Sequence, residues 1–492
     1  MNHRPVPIRI ACDCKTVFLP MFDPDFLLDT PFARRLYHET ASDLPLIDYH
    51  THLDPCEILA DRRFQNATEL WLEADHYKWR LMRANGVPEE LVTGDAAPRE
   101  KFRALAGTLR RAYGHPVHHW CHMELQRVFG IAEWLDERNA DRIYDRIEEA
   151  LASDPSHSAR GFLRRFRTEA VCTTDDPADP LDTHVACARE VADIAIYPTF
   201  RPDNALRLDA PDLFNAWVVR LAETSGVEIG DQLDTLAAAL DSRHEAFHKA
   251  GCRLSDHGLP VAPAVRSDDA AAARAFASAR QGASPEAGEQ AAFADWLLRL
   301  TAAMNHRRGW TTQLHLGPVR NPNSRIFAIK GPDAGTDTMS DAVQSGALLA
   351  FLEKLSAADI LPRIIAYNLN PNDNTALCAA LQSFQDGSEP GKLQFGAAWW
   401  FNDHLAGMRA HYETLAAQGL SGRFVGMLTD SRSLVSGVRH ELFRRLICSI
   451  VGRDVEAGLM PGGEEAACHV ANICYHNARH YLGLPCHQGG GG

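Results

Sequence analysis

Short apolar segments that end in polar residues recur along this chain, and most of them are separated by Ala-, Leu- and Arg-rich segments with helical periodicity. Such alternation favours parallel strands joined by right-handed helical crossovers. Eight segments of this kind are the number that closes a (β/α)8 barrel. We therefore predict an α/β fold of the TIM-barrel type, with strands at residues 46–52, 170–174, 194–200, 252–256, 311–315, 363–369, 393–397 and 424–429.

Four parts of the chain depart from a regular barrel, although the whole of 1–492 is predicted to form a single barrel domain. A long segment at about 60–165, rich in Trp, Arg and Glu, is predicted to be a helical insertion after the first strand. The Ala-rich stretch 262–299 is predicted to be a surface helix pair or a partly mobile loop. Residues 1–21 are interpreted as an N-terminal extension, and 485–492 as a flexible tail.

Composition restricts the partners of the chain. A net charge of -14 argues against nucleic acid and against anionic membrane surfaces, but not against a small anionic substrate. No apolar run approaches the length of a membrane span, and no secretory signal is evident. The 12 cysteines include no Cys-x-x-Cys pair and are interpreted as reduced, mostly buried thiols of a cytoplasmic protein. Cys12-Asp-Cys14 is only a weak metal motif.

Polar and charged residues follow the predicted strands, and catalytic groups of α/β barrels collect at this end of the strands. A ring of such strand ends indicates an enzyme rather than a binding protein. The residues concerned are His50 and His52, Asp175 and Asp176, Arg201 and Asp203, Asp256 and His257, His315, residues 399–404, and Asp430 with Arg432.

Two of these histidines, His50 and His52, form a candidate half-site for a divalent metal, because alternate residues of a strand point to the same face. Asp430 is the candidate third ligand, since the first and eighth strands are neighbours in a closed barrel. The alternatives are two histidines in a polar loop, and an aspartate that caps a helix. His315 and His257 are either further ligands or structural groups that hydrogen-bond nearby.

Lysine placement bears on the number of metals. Many two-metal barrel hydrolases bridge their metals with a carbamylated lysine at a strand end. None of the seven lysines of this chain follows a predicted strand. The sequence therefore favours one metal, although it leaves a carboxylate bridge open.

Arg201 and Arg432 lie at or near strand ends, and arginine forks bind carboxylates through two hydrogen bonds. They indicate an anionic substrate or intermediate, unless each pairs with a nearby aspartate such as Asp203. In the insertion, Tyr77 is a candidate proton shuttle if the insertion covers the barrel mouth. The alternative is a charged, aromatic helix resting on the barrel surface. The histidines of residues 118–122 are better explained by helix packing and hydrogen bonding than by metal binding.

Several strings of residues resemble the uronate isomerases, also called glucuronate isomerases, of the amidohydrolase superfamily. The resemblance spans about residues 22–482 and includes 48–53 (Asp-Tyr-His-Thr-His-Leu) and 427–433 (Met-Leu-Thr-Asp-Ser-Arg-Ser). Further matching strings lie at 75–86, 125–130, 171–177, 198–203, 252–258, 313–317, 398–403 and 440–445.

The resemblance implies interconversion of D-glucuronate with D-fructuronate, and of D-galacturonate with D-tagaturonate, by proton transfer from C2 to C1 through an enediol. His50, His52 and Asp430 would hold one divalent metal, with zinc expected and manganese as the alternative. In this scheme Asp430, or a hydroxide bound to the metal, would take a proton from the sugar. Tyr77 would shuttle a proton, and Arg432 would stabilise the negative charge that develops.

The same resemblance implies that a small sugar acid is the partner, that no nucleotide or redox cofactor is needed, and that a homo-oligomer is the one assembly left open. The alternative function is a metal-dependent hydrolase of the same superfamily. Arg432 serves in binding as well as catalysis, and the other expected substrate-binding residues are Arg201, His76, His315, Trp399 and Trp400.

Overall fold

Parallel strands form the wall of an α/β barrel in the computed structural model, which describes residues 21–262 and 268–485. Cys12-Asp-Cys14 lies outside the described residues, as do the expected extension and tail except for one residue of each. The strands are β1 (Leu46–Asp48), β2 (Thr168–Cys172), β3 (Ala195–Tyr197), β4 (Leu254–Leu259), β5 (Thr311–Leu316), β6 (Pro318–Val319), β7 (Thr338–Met339), β8 (Arg363–Asn368) and β9 (Leu393–Phe395).

Two parallel ladders, β1-β2-β3 and β4-β5-β8-β9, are joined at Phe200. This residue follows β3 and bridges Asp175 on one side and Ser255 on the other. Its amide donates to the Leu254 carbonyl, and its own carbonyl accepts from the Asp256 amide, both at 3.0 Å. The first seven predicted strands therefore all appear as parallel strands, which confirms the predicted TIM-type α/β fold.

The eighth predicted strand, residues 424–429, is not a regular strand. Gly426 adopts a φ of +80°, which interrupts an extended ladder. The carboxylate of Asp48 replaces backbone pairing, because it accepts hydrogen bonds from the Thr429 amide at 2.9 Å and the Thr429 hydroxyl at 2.5 Å. The Tyr49 hydroxyl donates to the Gly426 carbonyl at 3.0 Å. Side chains of the β1 region thus hold this segment beside β1.

The predicted helical insertion occupies the chain between β1 and β2, beginning a few residues earlier than expected. Its helices pack with the barrel into one continuous apolar core. They are α2 (Pro55–Leu59), α3 (Ala67–Leu72), α4 (His76–Ala84), α5 (Glu89–Val92), α6 (Pro98–Leu109), α7 (Pro116–Phe129), α8 (Ala140–Ser153) and α9 (Ala159–Arg165), after α1 (Pro31–Leu36).

None of the helices in the described ranges is long and apolar enough to cross a bilayer. The helices that follow β2 are α10 (Asp182–Glu190), α11 (Pro211–Ser225), α12 (Leu233–Lys249), α13 (Asp269–Arg280), α14 (Ala287–Arg308), α15 (Ser324–Lys330), α16 (Ser345–Ala357), α17 (Asn374–Gln382), α18 (Leu405–Gln418), α19 (Val438–Glu456), α20 (Glu464–Ala471) and α21 (Asn477–Tyr481).

The Ala-rich stretch 262–299 contributes α13 and the first half of α14, so the helix-pair interpretation is correct for its described residues. These helices are not merely superficial. Phe276 and Phe293 are fully buried in a second apolar cluster, together with Trp310 at the start of β5. Small alanines allow the close approach of the two helices, and the pair is packed rather than loosely attached.

The structure contains two features that were not predicted from the sequence. The short antiparallel pair β6–β7 lies in the long connection between β5 and β8. Helix α4 is capped by Asp75, whose side chain accepts hydrogen bonds from the amides of Tyr77 and Lys78, both at 3.0 Å. This cap fixes the first turn of α4, and with it the backbone at Tyr77.

The insertion contains a buried carboxyl group, Glu124 on α7, which gives a prediction for stability. Burial raises the pKa of this carboxyl to about 7, from an ordinary value of 4.5. Between these pH values the folded chain keeps a proton that the unfolded chain loses, so stability falls as pH rises. We expect Glu124→Gln to remove this fall and to gain at most about 3 kcal/mol above pH 7.

Thermal unfolding at pH 4.5 and pH 8 measures this effect. Glu149→Gln is the control, because Glu149 is an exposed glutamate on the neighbouring helix α8. Equal shifts of the melting temperature at both pH values for Glu124→Gln would contradict the prediction.

Candidate active site

Three potential metal ligands converge beside the end of β1. The Nε2 atoms of His50 and His52 lie 3.2 and 3.1 Å from Oδ1 of Asp430. The Asp430 amide donates to the His50 carbonyl at 3.1 Å, which ties the two chain segments together. Both histidines follow β1 instead of ending it, so backbone pairing with residues 430–431 brings them together rather than strand alternation.

The ligand atoms suit a divalent ion such as zinc or manganese, because two imidazole nitrogens and a carboxylate oxygen lie within 4.8 Å of one another. Burial alone would raise the pKa of Asp430, but hydrogen bonds to His50 and His52 hold it well below its usual range. Burial lowers the pKa of His52, which leaves a neutral ring able to bind metal. The residues present therefore fit a metal ion.

Asp256, at the interior face of β4, connects two of the histidines. Its Oδ1 lies 2.6 Å from Nδ1 of His315, and its Oδ2 lies 4.0 Å from Nδ1 of His50. Burial would raise its pKa, but the charges of Arg201, His315 and His50 hold it well below the usual range. An ionised carboxylate behind two imidazoles orients the rings and strengthens them as ligands.

Arg201 is held by two carboxylates. Its Nη1 lies 3.1 Å from Oδ2 of Asp256, and its Nε donates to Oδ2 of Asp203 at 3.0 Å. Pairing with Asp203, the structural alternative raised from the sequence, therefore occurs. Arg201 also borders the cavity described below, so its charge remains available to a substrate.

Arg432 makes an ion pair with Asp333 at 2.8 Å, in the connection between β5 and β8. The same connection carries Arg320, which lies over the ring of Trp400 at 4.8 Å. Both arginines border the cavity, and the charge of each acts on Asp333, whose side chain is nearly half exposed.

Tyr77 and His76 stack at the start of α4, with ring centroids 4.7 Å apart. Burial raises the pKa of Tyr77 well above its ordinary value, and the charge of Asp430 raises it further. Burial lowers the pKa of His76, as does the charge of Arg432. Both groups are therefore neutral near pH 7.

Two tryptophans after β9 complete the wall. Nε1 of Trp399 donates to Oδ2 of Asp430 at 2.8 Å, so the two oxygens of this carboxylate have different partners. Trp400 has a φ of +53° and Asp430 a φ of +49°, which are left-handed conformations that cost energy in non-glycine residues. The side chains of both residues border the cavity.

One cavity of about 430 Å³ brings these groups together. Its walls contain the ten residues that the sequence assigned to metal binding, substrate binding or catalysis, including Tyr77 from the insertion. The start of α4 therefore lies at the barrel mouth, where its side chains border the cavity, and α4 is not merely a charged, aromatic helix resting on the barrel surface. The cavity is bordered by His50, His52, His76, Tyr77, Arg201, His315, Trp399, Trp400, Asp430 and Arg432.

Other histidines do not belong to the site. His257 is buried, and its Nε2 lies 3.1 Å from the Ser255 hydroxyl, which favours the structural alternative for this residue over that of a further ligand. Strand alternation explains this, because Asp256 faces the barrel interior and its neighbour faces away. In α7, Nδ1 of His122 bonds the His118 carbonyl at 2.7 Å, and its Nε2 accepts from the Leu135 amide. Packing and hydrogen bonding thus account for the histidines of α7.

Among the residues that border or support the cavity and were not selected from the sequence, four carry charges that act on the site: Asp256, Arg320, Asp333 and Arg439. Asp256 was noted as part of a strand end, and strict alternation along β4 would have identified it. Arg320 and Asp333 lie in a long connection whose course has no periodic signal. Arg439 lies on a helix, and nothing in the sequence points it toward the barrel mouth.

A barrel whose charged strand ends surround one cavity, as they do here, defines an α/β-barrel enzyme. The glucuronate isomerase family model matches residues 19–482, which is nearly the whole chain. The chain belongs to the glucuronate isomerase family. It is accordingly an isomerase, and the hydrolase alternative is not supported.

Relatives and solved structures agree with this assignment. The chain is 44% identical over 461 residues to the uronate isomerase of Solibacter usitatus, covering 94% of this chain and 98% of the relative. It superposes on a uronate isomerase from Thermotoga maritima with a TM-score of 0.88 at 32% identity, covering 94% and 99%. A glucuronate isomerase from Caulobacter crescentus gives 0.86 at 29% identity, covering 94% and 97%.

The position of Asp256 predicts how metal affinity depends on it. We expect Asp256→Asn to weaken zinc or manganese binding by about 10- to 100-fold, because His50 and His315 lose their shared anionic partner. Competition with a chromophoric chelator measures the dissociation constant.

Asp203→Asn is the matched control, since Asp203 also holds Arg201 but bonds neither of these two histidines. Equal losses of affinity in the two variants would show that the effect comes from Arg201, and would contradict the proposed role of Asp256.

Proposed function

We propose that this isomerase interconverts D-glucuronate and D-fructuronate, and D-galacturonate and D-tagaturonate, by proton transfer between C2 and C1 of the open-chain sugar. The observation that carries the proposal is the shared cavity, in which an ionised carboxylate, a neutral phenol and arginines face one another. An enediol mechanism needs these groups: a base, a proton carrier for the oxygens and positive charge for the intermediate.

Substrate binding is assigned to the arginines and aromatic residues of the cavity. A uronate carries one carboxylate, for which the guanidinium groups of Arg201 and Arg432 are suited partners. His76 and His315 offer hydrogen bonds to hydroxyl groups, and Trp399 with Trp400 supplies an apolar wall. Buried walls of this kind also exclude water from the reacting carbons.

Proton transfer is assigned to Asp430 and Tyr77. Oδ2 of Asp430, which accepts a hydrogen bond from Trp399, takes the proton from C2 and returns it to C1. The Tyr77 hydroxyl carries the proton between the oxygens on C1 and C2. Arg432 stabilises the negative charge that develops on these oxygens in the enediolate.

His50, His52 and Asp430 are the residues proposed to hold one divalent metal, with zinc preferred over manganese. When bound, the ion would supply positive charge that orients and polarises the substrate oxygens. A second group of potential ligands, His50, Asp256 and His315, also exists among the described residues. Arg201 lies 3.1 Å from Asp256 and already balances its charge, which favours a single metal.

The proposal extends to the cellular setting. Sugar-acid breakdown and free thiols fit a cytoplasmic enzyme; six of the nine described cysteines are buried, and all nine are unpaired. A small sugar acid is the expected partner, and a homo-oligomer is the one macromolecular assembly left open.

The activity itself is tested by incubating the chain with D-glucuronate and measuring ketose formation, with and without added Zn²⁺ or Mn²⁺. We expect D-fructuronate to accumulate to equilibrium, and D-galacturonate to give D-tagaturonate. A lactone and a dihydroorotate-type substrate serve as controls for hydrolysis. Hydrolysis of either control without any ketose from the two uronates would reject the proposal.

The role of Tyr77 is tested with Tyr77→Phe, which removes the hydroxyl and keeps the ring. We expect kcat to fall by about 100-fold while metal affinity is unchanged, because general acid–base catalysis contributes on that order. Tyr144→Phe is the control, since Tyr144 is a buried tyrosine of the insertion away from the cavity. Full turnover by Tyr77→Phe would remove Tyr77 from the mechanism.

A further inference from the structure

A buried arginine on α19, Arg439, connects parts of the chain that carry the proposed proton-transfer groups. It is 3% exposed and borders the cavity. Its Nη1 donates to the Thr429 carbonyl at 2.8 Å, one residue before Asp430. The same nitrogen lies 3.5 Å from Oδ2 of Asp403, in the turn after Trp400.

The guanidinium also contacts the insertion. It stacks on Trp120 of α7 at 3.7 Å and lies 5.7 Å from the ring centre of Tyr77 on α4. Trp120 and Tyr77 in turn meet edge to face, with centroids 6.0 Å apart. Arg439 therefore contacts the Thr429 end of the barrel and two helices of the insertion, α4 and α7.

The turn that carries Asp430 needs such an anchor. Residues 424–430 lack a regular ladder, and Asp430 has a strained φ of +49°. Asp48 binds the amide and hydroxyl of Thr429 from one side. Arg439 binds the carbonyl of the same residue, so the backbone of Thr429, directly before Asp430, is held at both its amide and its carbonyl.

Its charge has a second effect. A positive charge near the Tyr77 ring favours negative charge on the phenol oxygen, which opposes the effects of burial and of Asp430. A proton carrier passes through a state in which its oxygen is partly negative. Arg439 can thus assist Tyr77 without touching the substrate.

We propose that Arg439 is a positioning residue that holds the Thr429–Asp430 peptide and the Tyr77 ring in one arrangement over the cavity. This inference rests on the proposed roles of Asp430 and Tyr77. It assigns to α19 a role in turnover that is distinct from packing. The guanidinium shape matters, because an ammonium can bond the Thr429 carbonyl but cannot stack flat on Trp120.

The test compares Arg439→Met and Arg439→Lys with Arg444→Met. Arg444 is a matched control because it is a buried arginine of the same helix that bonds backbone carbonyls, at Ala41, Leu44 and Pro45, away from the cavity. For each variant kcat, KM, metal dissociation constant and melting temperature are measured.

We expect Arg439→Met to lower kcat by about 100-fold, because misplacement of reacting groups by an ångström has an effect of that size. KM should change less than kcat. Arg439→Lys should recover part of the activity, with about a 10-fold loss, and metal affinity should fall in parallel with the disturbance of Asp430. Arg444→Met should lose melting temperature but keep its kcat.

A double-mutant comparison with Tyr77→Phe separates the two contacts. If Arg439 acts through Tyr77, Arg439→Met should lower kcat less in the Tyr77→Phe background than in the parent. Equal effects in both backgrounds, together with unchanged metal affinity, would overturn the inference, as would an Arg439→Met variant with parental kcat.

Failure of the inference and failure of the proposed function give different results. An inactive parent chain, or a fully active Tyr77→Phe, would count against the proposed function. An active parent, an impaired Tyr77→Phe and a fully active Arg439→Met would count against the positioning role alone.

Discussion

The contact between residues 424–430 and the end of β1 is the interaction on which the site depends. It closes the barrel without a regular ladder, through the Asp48 carboxylate and the backbone pairing of Asp430 with His50. The same contact brings Oδ1 of Asp430 to the two imidazoles of His50 and His52. The same contacts thus close the barrel and bring the proposed metal ligands together, so a change that breaks them should disturb both.

Charge balance is the second constraint. The chain has a net charge of -14, yet arginines concentrate around the cavity. Buried carboxylates cost little where each has a cationic or imidazole partner, as Asp256 has in Arg201 and His315. Local pairing therefore allows an acidic protein to receive an anionic sugar acid, since the field that the substrate meets is set by its nearest groups rather than by the net charge.

Much of the architecture could be predicted from the sequence, because apolar periodicity and strand ends are local signals. Seven predicted strands form, and His50, His52 and Asp430, the predicted metal ligands, lie together, although backbone pairing rather than strand alternation brings them there. The eighth segment was predicted to be a strand but is irregular. Gly426 interrupts the extended backbone, and the Asp48 side chain takes the place of ladder hydrogen bonds. His257 was named from the sequence as a possible ligand, and Asp256 beside it was not selected. The residues at this strand end were considered together, without asking which of them faces the barrel interior.

The sequence by itself determined the class of fold and pointed to His50, His52 and Asp430, because apolar periodicity, the spacing of the two histidines and polar residues after apolar segments are local signals. Only the tertiary structure decided that Tyr77 and Arg439 border the same cavity. The contact of the Arg439 guanidinium with the Tyr77 ring joins residues more than 300 positions apart in the chain. Such contacts arise from packing of the insertion on the barrel and leave no periodic trace in the sequence.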